Sequence, residues 1–185
     1  QNRTISMEKI QIKYKGLSEV VGCHGLALIV LTDGSEKRQL GVVCESRIKH
    51  EFLIRMGEHP LKSMFLPEVL SSLINTGEYE LYIYAIYEGQ YESELINKAD
   101  LSSTPILVSD GILLATIAKL DIFINESLFM QQSVPYVKDS KQMTLPLNAL
   151  NENMLELSLD KAIEGENYEL ASLLRDEIKR RKMNK

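Results

Sequence analysis

Residues 78–96 read EYELYIYAIYEGQYESELI, and this stretch decides the fold. Tyrosine and isoleucine favour the pleated, half-buried surface of a sheet. Tyr82, Tyr84 and Ile86 alternate with Leu81, Ile83 and Ala85, so a strand over Glu78–Glu88 places the first set on one face and the second on the other. Glu88-Gly89 is a turn signal, and Tyr91–Ile96 is the antiparallel return strand.

Working outward, Ile10–Tyr14 alternates as a strand, and Leu26–Leu31 is a short apolar run typical of a strand buried on both faces. Asp33-Gly34 marks a turn in which glycine takes positive φ, followed by a strand over Gln39–Cys44. Ile48, Phe52 and Met56 then recur at helical spacing. After His59-Pro60 a second helix covers Leu66–Ile74, with Pro67 in its first turn and Gly77 beyond its end. Thr104–Val108 reads as a strand, Ser109 as the N-cap of an apolar helix over Ile112–Leu120, and Ile122–Ile124 as another strand. Glu126–Met130 is one helical turn. The expected class is α+β, a largely antiparallel sheet with packed helices over residues 7–130. Residues 131–150 lack a period, contain Pro135 and Pro146, and read as a linker over the domain surface.

Residues 151–183 read as an antiparallel helical hairpin. Leu155, Leu159, Ala162 and Ile163 form one stripe, and Leu170, Ala171, Leu174 and Ile178 the other. Gly165 is placed as the left-handed stop between them, and Asn167 as the cap of the second helix. Lys179–Lys182 sit where the helix dipole favours cations. Such a unit buries too little surface to stand alone, so it must dock on its own domain, on a copy of itself or on a partner. Leu155, Leu170 and Leu173 are the expected leftover apolar surface.

Bulk composition narrows the function. A net charge of −5 argues against a broad grip on phosphates, leaving nucleic-acid contact local or weak. No apolar run approaches ~18 residues, so no membrane span is expected, and there is no basic-then-apolar secretory start. Two cysteines, Cys23 and Cys44, fit a reducing cytoplasm better than a disulfide scaffold. His24, His50 and His59 are scattered, with Cys23-His24 the nearest approach to a metal pair. No phosphate loop, Ser-His-Asp set or Cys-His pair is visible, and no metal ligand set or cofactor-binding residue is assigned.

Ala162–Ile178, AIEGENYELASLLRDEI, resembles the UVR motif, the helical hairpin through which the excision-repair subunits UvrB and UvrC associate. The resemblance implies a protein partner or self-association, with Arg175 and Asp176 joining Leu155, Leu170 and Leu173 as partner-binding residues. Residues 26–136 resemble the bifunctional nuclease domain family, whose members cleave DNA and RNA. Val108–Ile124, VSDGILLATIAKLDIFI, is similar to its S-D-A-I-A-L-A-L-R helix and following strand. Leu40–Cys44 is similar to its strand before I-G-x-x-E-A, Leu66–Leu70 lies where it has T-H-D-L-L, and Glu88–Tyr91 matches E-G-x-F/Y. By position the family's glutamate becomes Ile48, its histidine Pro67 and its arginine Ile117, while its aspartate becomes Glu68.

What the resemblance implies is therefore divided. One reading is a nuclease with Glu68 and Asp110 as surviving catalytic carboxylates and a divalent metal such as Mg if active. The other is a catalytically inactive member that binds partners through the hairpin. An active enzyme should carry Glu68 or Asp110 in a cleft beside Arg or Lys. Without such a setting, each acid needs no reason beyond its place in a helical first turn.

Overall fold

The computed structural model describes residues 8–20, 26–138, 142–143 and 146–183. Cys23 and His24 lie outside them. The strands are β1 (Lys9–Val20), β2 (Leu26–Asp33), β3 (Arg38–Glu45), β4 (Tyr79–Tyr87), β5 (Gln90–Asn97), β6 (Ser103–Leu107), β7 (Asp121–Asn125), β8 (Val134–Pro135) and β9 (Gln142–Met143). The helices are α1 (Ser46–Met56), α2 (Leu66–Leu73), α3 (Val108–Ala118), α4 (Glu126–Gln132), α5 (Glu152–Glu164) and α6 (Tyr168–Met183). The fold is α+β. One sheet runs β6-β5-β4-β7-β1-β2-β3-β8, with β9 beside β1; among the described residues β4–β7 and β1–β9 are the parallel pairs.

β4 and β5 pair antiparallel with Leu81 opposite Leu95 and Tyr87 opposite Gln90. The two-residue turn puts both Glu88 (φ 47°) and Gly89 (φ 80°) in the left-handed region, the geometry that matches strand twist. The simple alternation breaks at Tyr84, which sits in a bulge between Ile83 and Ala85. The extra residue shifts the facing, so Ile86 packs on the same core as Leu81 and Ile83 rather than with Tyr82. At the β2–β3 turn Glu36 (φ 53°) is the left-handed residue, not Gly34. The Asp33 carboxylate stabilises that turn by accepting from the Lys37 and Arg38 amides at 3.0 and 3.3 Å.

The main core lies where Ile12, Ile29, Leu40, Val42, Leu81 and Ile124 of the sheet meet α1, α3 and α4. Ile48 and Phe52 of α1 enter it, but Met56 stays exposed. α3 begins earlier than its apolar period implies. Leu107 is its N-cap, and Ser109 lies inside the first turn instead of capping it.

The described residues of the expected 131–150 linker pair and pack against the domain. Val134-Pro135 pairs with Gln39 and Arg38 of β3, and Arg38 donates to the Ser133 carbonyl at 2.6 Å. Gln142-Met143 runs parallel to the end of β1, while Ala149 and Leu150 are buried. Two-residue pairings leave no periodicity for a sequence to display.

Asn167 caps the second hairpin helix as expected, its Oδ1 accepting from the Leu170 amide at 3.2 Å, and Asn151 Oδ1 caps the first by accepting from the Met154 amide at 2.9 Å. Gly165 does cap the end of the first helix, but at φ −83° it is not left-handed; the left-handed residue is Glu166 (φ 54°). The hairpin folds back onto its own domain. Leu155, Ala162, Ala171 and Leu174 close a second core with Val20, Leu26, Leu28, Val43 and Leu150. Each leucine so buried contributes ~2 kcal/mol. Leu155 is therefore not leftover surface: it is fully buried, and Leu170 packs at the edge of the same cluster. Ile163, at the stripe's margin, is exposed instead. Arg181 fastens the root, donating to the carbonyls of Leu150 at 2.6 Å and Leu147 at 3.0 Å.

Candidate functional site

Helix α1 carries Arg47, Glu51 and Arg55 at i, i+4 and i+8, a charged stripe beside its apolar one. Each arginine takes one of the two candidate carboxylates. Arg47 meets Asp110 in the first turn of α3, with both terminal nitrogens 3.0–3.2 Å from its oxygens. Arg55 holds Glu68 of α2 bidentately, at 2.7 and 2.8 Å, and also takes the Glu51 carboxylate at 2.6 Å. The carboxylates beside them push both guanidinium groups further into the charged form.

The two pairs differ in setting. Arg55 and Glu68 are 8% and 13% exposed, and Arg55 also lies 5.3 Å from the centre of the Phe65 ring. Arg47 and Asp110 are 61% and 31% exposed. Eight residues of helix separate the arginines, ~12 Å of rise, so each carboxylate is tied to its own end of α1. The sequence offered the α1 charge stripe as a signal, but spacing alone does not reveal which acids it meets.

The other positions singled out by the sequence resemblance are apolar. Ile48 is buried in the main core, Ile117 packs against it, and Pro67 lies in the first turn of α2. Divalent-metal chemistry needs free carboxylate oxygens converging on one point. Here Asp110 and Glu68 each face a guanidinium, and no group of three or more His, Cys, Asp or Glu fit to hold a metal occurs among the described residues. This donor set does not fit a metal centre.

Two cavities flank this region. One of about 170 Å³ lies where β3, α1, β5 and α3 meet, with Arg47 in its lining. A larger cleft of about 670 Å³ opens between the β4–β5 turn and the hairpin root. Its lining includes Glu88, Glu92, Glu152, Arg180 and Arg181, and both arginines are bound to Glu177. Cys44, a free thiol in the main core, has its pKa pushed up to about 12 by burial. It is an inert core residue at neutral pH.

On the hairpin, Leu173, Arg175 and Asp176 remain open to solvent at 53%, 70% and 67%. Exposed apolar side chains also gather on α2, which buries none of its residues: Leu66 and Leu73 are exposed, as is Met64 just before the helix. No described helix is long and apolar enough to cross a membrane. No protein-family model and no curated protein matches this chain.

Proposed function

We propose that this chain is a catalytically inactive protein of bifunctional-nuclease type that binds a protein partner, or a second copy, through its UVR-like hairpin. The observation that carries this reading is that Glu68 and Asp110, each bound by an arginine of α1, line neither of the two cavities. An acid held bidentately by a guanidinium is a poor general base and an unavailable metal ligand. The partner face is the outward ridge of α6 at Leu173, Arg175 and Asp176. Leu155 supports that face from beneath, and Leu170 lies at its edge. Charges around an apolar centre select the partner more than they tighten it. A cytoplasmic setting accords with the free thiol of Cys44.

A second reading rests on one observation. The Arg47–Asp110 pair is partly exposed and Arg47 lines the 170 Å³ cavity, so a cation with an acid 3.0 Å from it stands in the setting that phosphodiester cleavage would use. Nucleic acid would then be the substrate, bound weakly by a chain of net charge −5.

Removing the hairpin would uncover Val20, Leu26, Leu28 and Val43, so truncation is a poor test and point variants of the full chain are the right one. Leu173→Glu, and the paired reversal Arg175→Glu with Asp176→Arg, should leave the fold intact. They should reduce self-association or capture of a purified partner at least tenfold, read by sedimentation and pull-down. Unchanged assembly and capture in both variants would reduce the hairpin to a structural buttress.

A further inference from the structure

Helix α2 is amphipathic, and its apolar side faces water. Leu66, Val69, Leu70 and Leu73 stand at i, i+3, i+4 and i+7, one stripe along a single face. All four are exposed, Leu66 to 79% and Leu73 to 77%. The half-buried residues of the helix are Pro67, Glu68 and Ser71. Glu68 stands roughly half a turn from the centre of the stripe, and Arg55 holds it bidentately against the domain. That ion pair fixes which side of α2 looks inward and leaves the leucines outside.

Area, charge and symmetry together fit a second copy of this chain. With Met64 just before the helix, these side chains leave roughly 600 Å² of apolar surface in water, the upper end for the largest patch of a monomer. A second copy brings an equal patch, and joining the two removes on the order of 1,200 Å², enough for a specific interface. Glu68 is the one charged residue in the sequence from 64 to 73, and Arg55 engages it on the far side of the helix. A stripe without charge offers nothing to steer a charged partner. It also lacks the Lys- and Arg-rich flanks with which amphipathic helices settle on anionic membranes. Two copies meeting here set no like charges against each other. The stripe is, moreover, a palindrome about the midpoint between Val69 and Leu70, with Leu66 and Leu73 at equal distances from it. Two antiparallel helices related by a two-fold axis through that midpoint bring Leu66 against Leu73 of the partner subunit, and Val69 against Leu70 of the partner subunit.

We propose that the α2 stripe joins two copies of this chain, with antiparallel α2 helices packed across a two-fold axis between Val69 and Leu70. The contact uses none of the residues assigned to the partner face of the hairpin, so the two stand or fall separately.

The test is sedimentation velocity of the full chain in a concentration series reaching about 100 μM, well above the micromolar affinity of the weakest interfaces of standard size. The wild-type chain is expected to dimerise. Leu66→Glu and Leu73→Glu each place an unpaired carboxylate in the apolar contact and should weaken the dimer at least about tenfold. Their melting temperatures at low concentration should match the wild type, because both side chains already stand in water. Leu101→Glu, at a residue just as exposed but outside the stripe, should leave the dimer intact, and so should Leu173→Glu on α6. Disulfide trapping reads the register, in a Cys23→Ser background where the remaining Cys44 is buried. A mixture of Leu66→Cys and Leu73→Cys chains should oxidise to a covalent dimer. Either chain alone should not, because like positions are offset by seven residues, ~10 Å of helix, beyond the ~7 Å that a disulfide spans. A chain that stays monomeric, a dimer indifferent to both glutamate variants, or trapping as strong in the single samples as in the mixture would overturn the proposal. So would a monomer that uses Leu66 and Leu73 to bind a purified partner or phosphatidylglycerol vesicles, which would give the stripe to that occupant.

Discussion

Gly89→Ala is expected to destabilise the protein by about 3 kcal/mol and to loosen the hairpin from the sheet. Two costs add. At φ 80° an L-residue pays roughly 1–2 kcal/mol in backbone strain. The new Cβ would also stand 1.9 Å from the Leu150 carbonyl oxygen, which no real contact tolerates. Overpacking of this kind costs ~1–3 kcal/mol. Leu150 cannot yield freely, because it is fully buried and its carbonyl accepts from Arg181 at 2.6 Å. The strain should therefore pass into the root of α5. Urea denaturation would show the loss, and limited proteolysis should cut near residues 146–151 sooner than in the wild type. Wild-type stability with unchanged proteolysis would mean that the turn and the hairpin are not in contact.

Arg55→Met should cost about 3–5 kcal/mol, the loss seen when one partner of a buried ion pair is removed. Arg55 holds Glu68 and Glu51 together, and without it Glu68 is left 13% exposed and unpaired. The double variant Arg55→Met with Glu68→Met should recover most of the loss, because packed apolar residues replace a buried pair at little net cost. A thermal denaturation series of the two single variants and the double would measure this coupling. The contrast with Arg47 is quantitative. Its pair with Asp110 is largely exposed, so Arg47→Gln should cost no more than about 1 kcal/mol.

Local signals carried most of the architecture. The tyrosine–isoleucine alternation of β4, the turn at Glu88-Gly89 and the paired stripes of the hairpin are short-range patterns with a direct physical reading. What was illegible depended on partners distant in sequence. The bulge at Tyr84 redirects Ile86, and nothing in YIYAI announces it. Leu155 looked like a spare hydrophobe because its partners, Val20, Leu26 and Leu28, lie well over a hundred residues away. The same holds for the site. Glu68 and Asp110 were visible as first-turn acids, but Arg55 and Arg47 acquire meaning only once α1 is laid across α2 and α3.

We propose that Glu68 and Asp110 hold α1 in place and do not cleave phosphodiesters. This is tested most directly by a nuclease assay of the full chain on single-stranded DNA and RNA with Mg²⁺ and Mn²⁺, run beside Asp110→Asn and Glu68→Gln. The expected result is no metal-dependent cleavage by any of the three proteins, together with a lowered melting temperature for Glu68→Gln. Cleavage by the wild-type chain that Asp110→Asn abolishes, with the fold preserved, would contradict the account and make Arg47 and Asp110 catalytic residues.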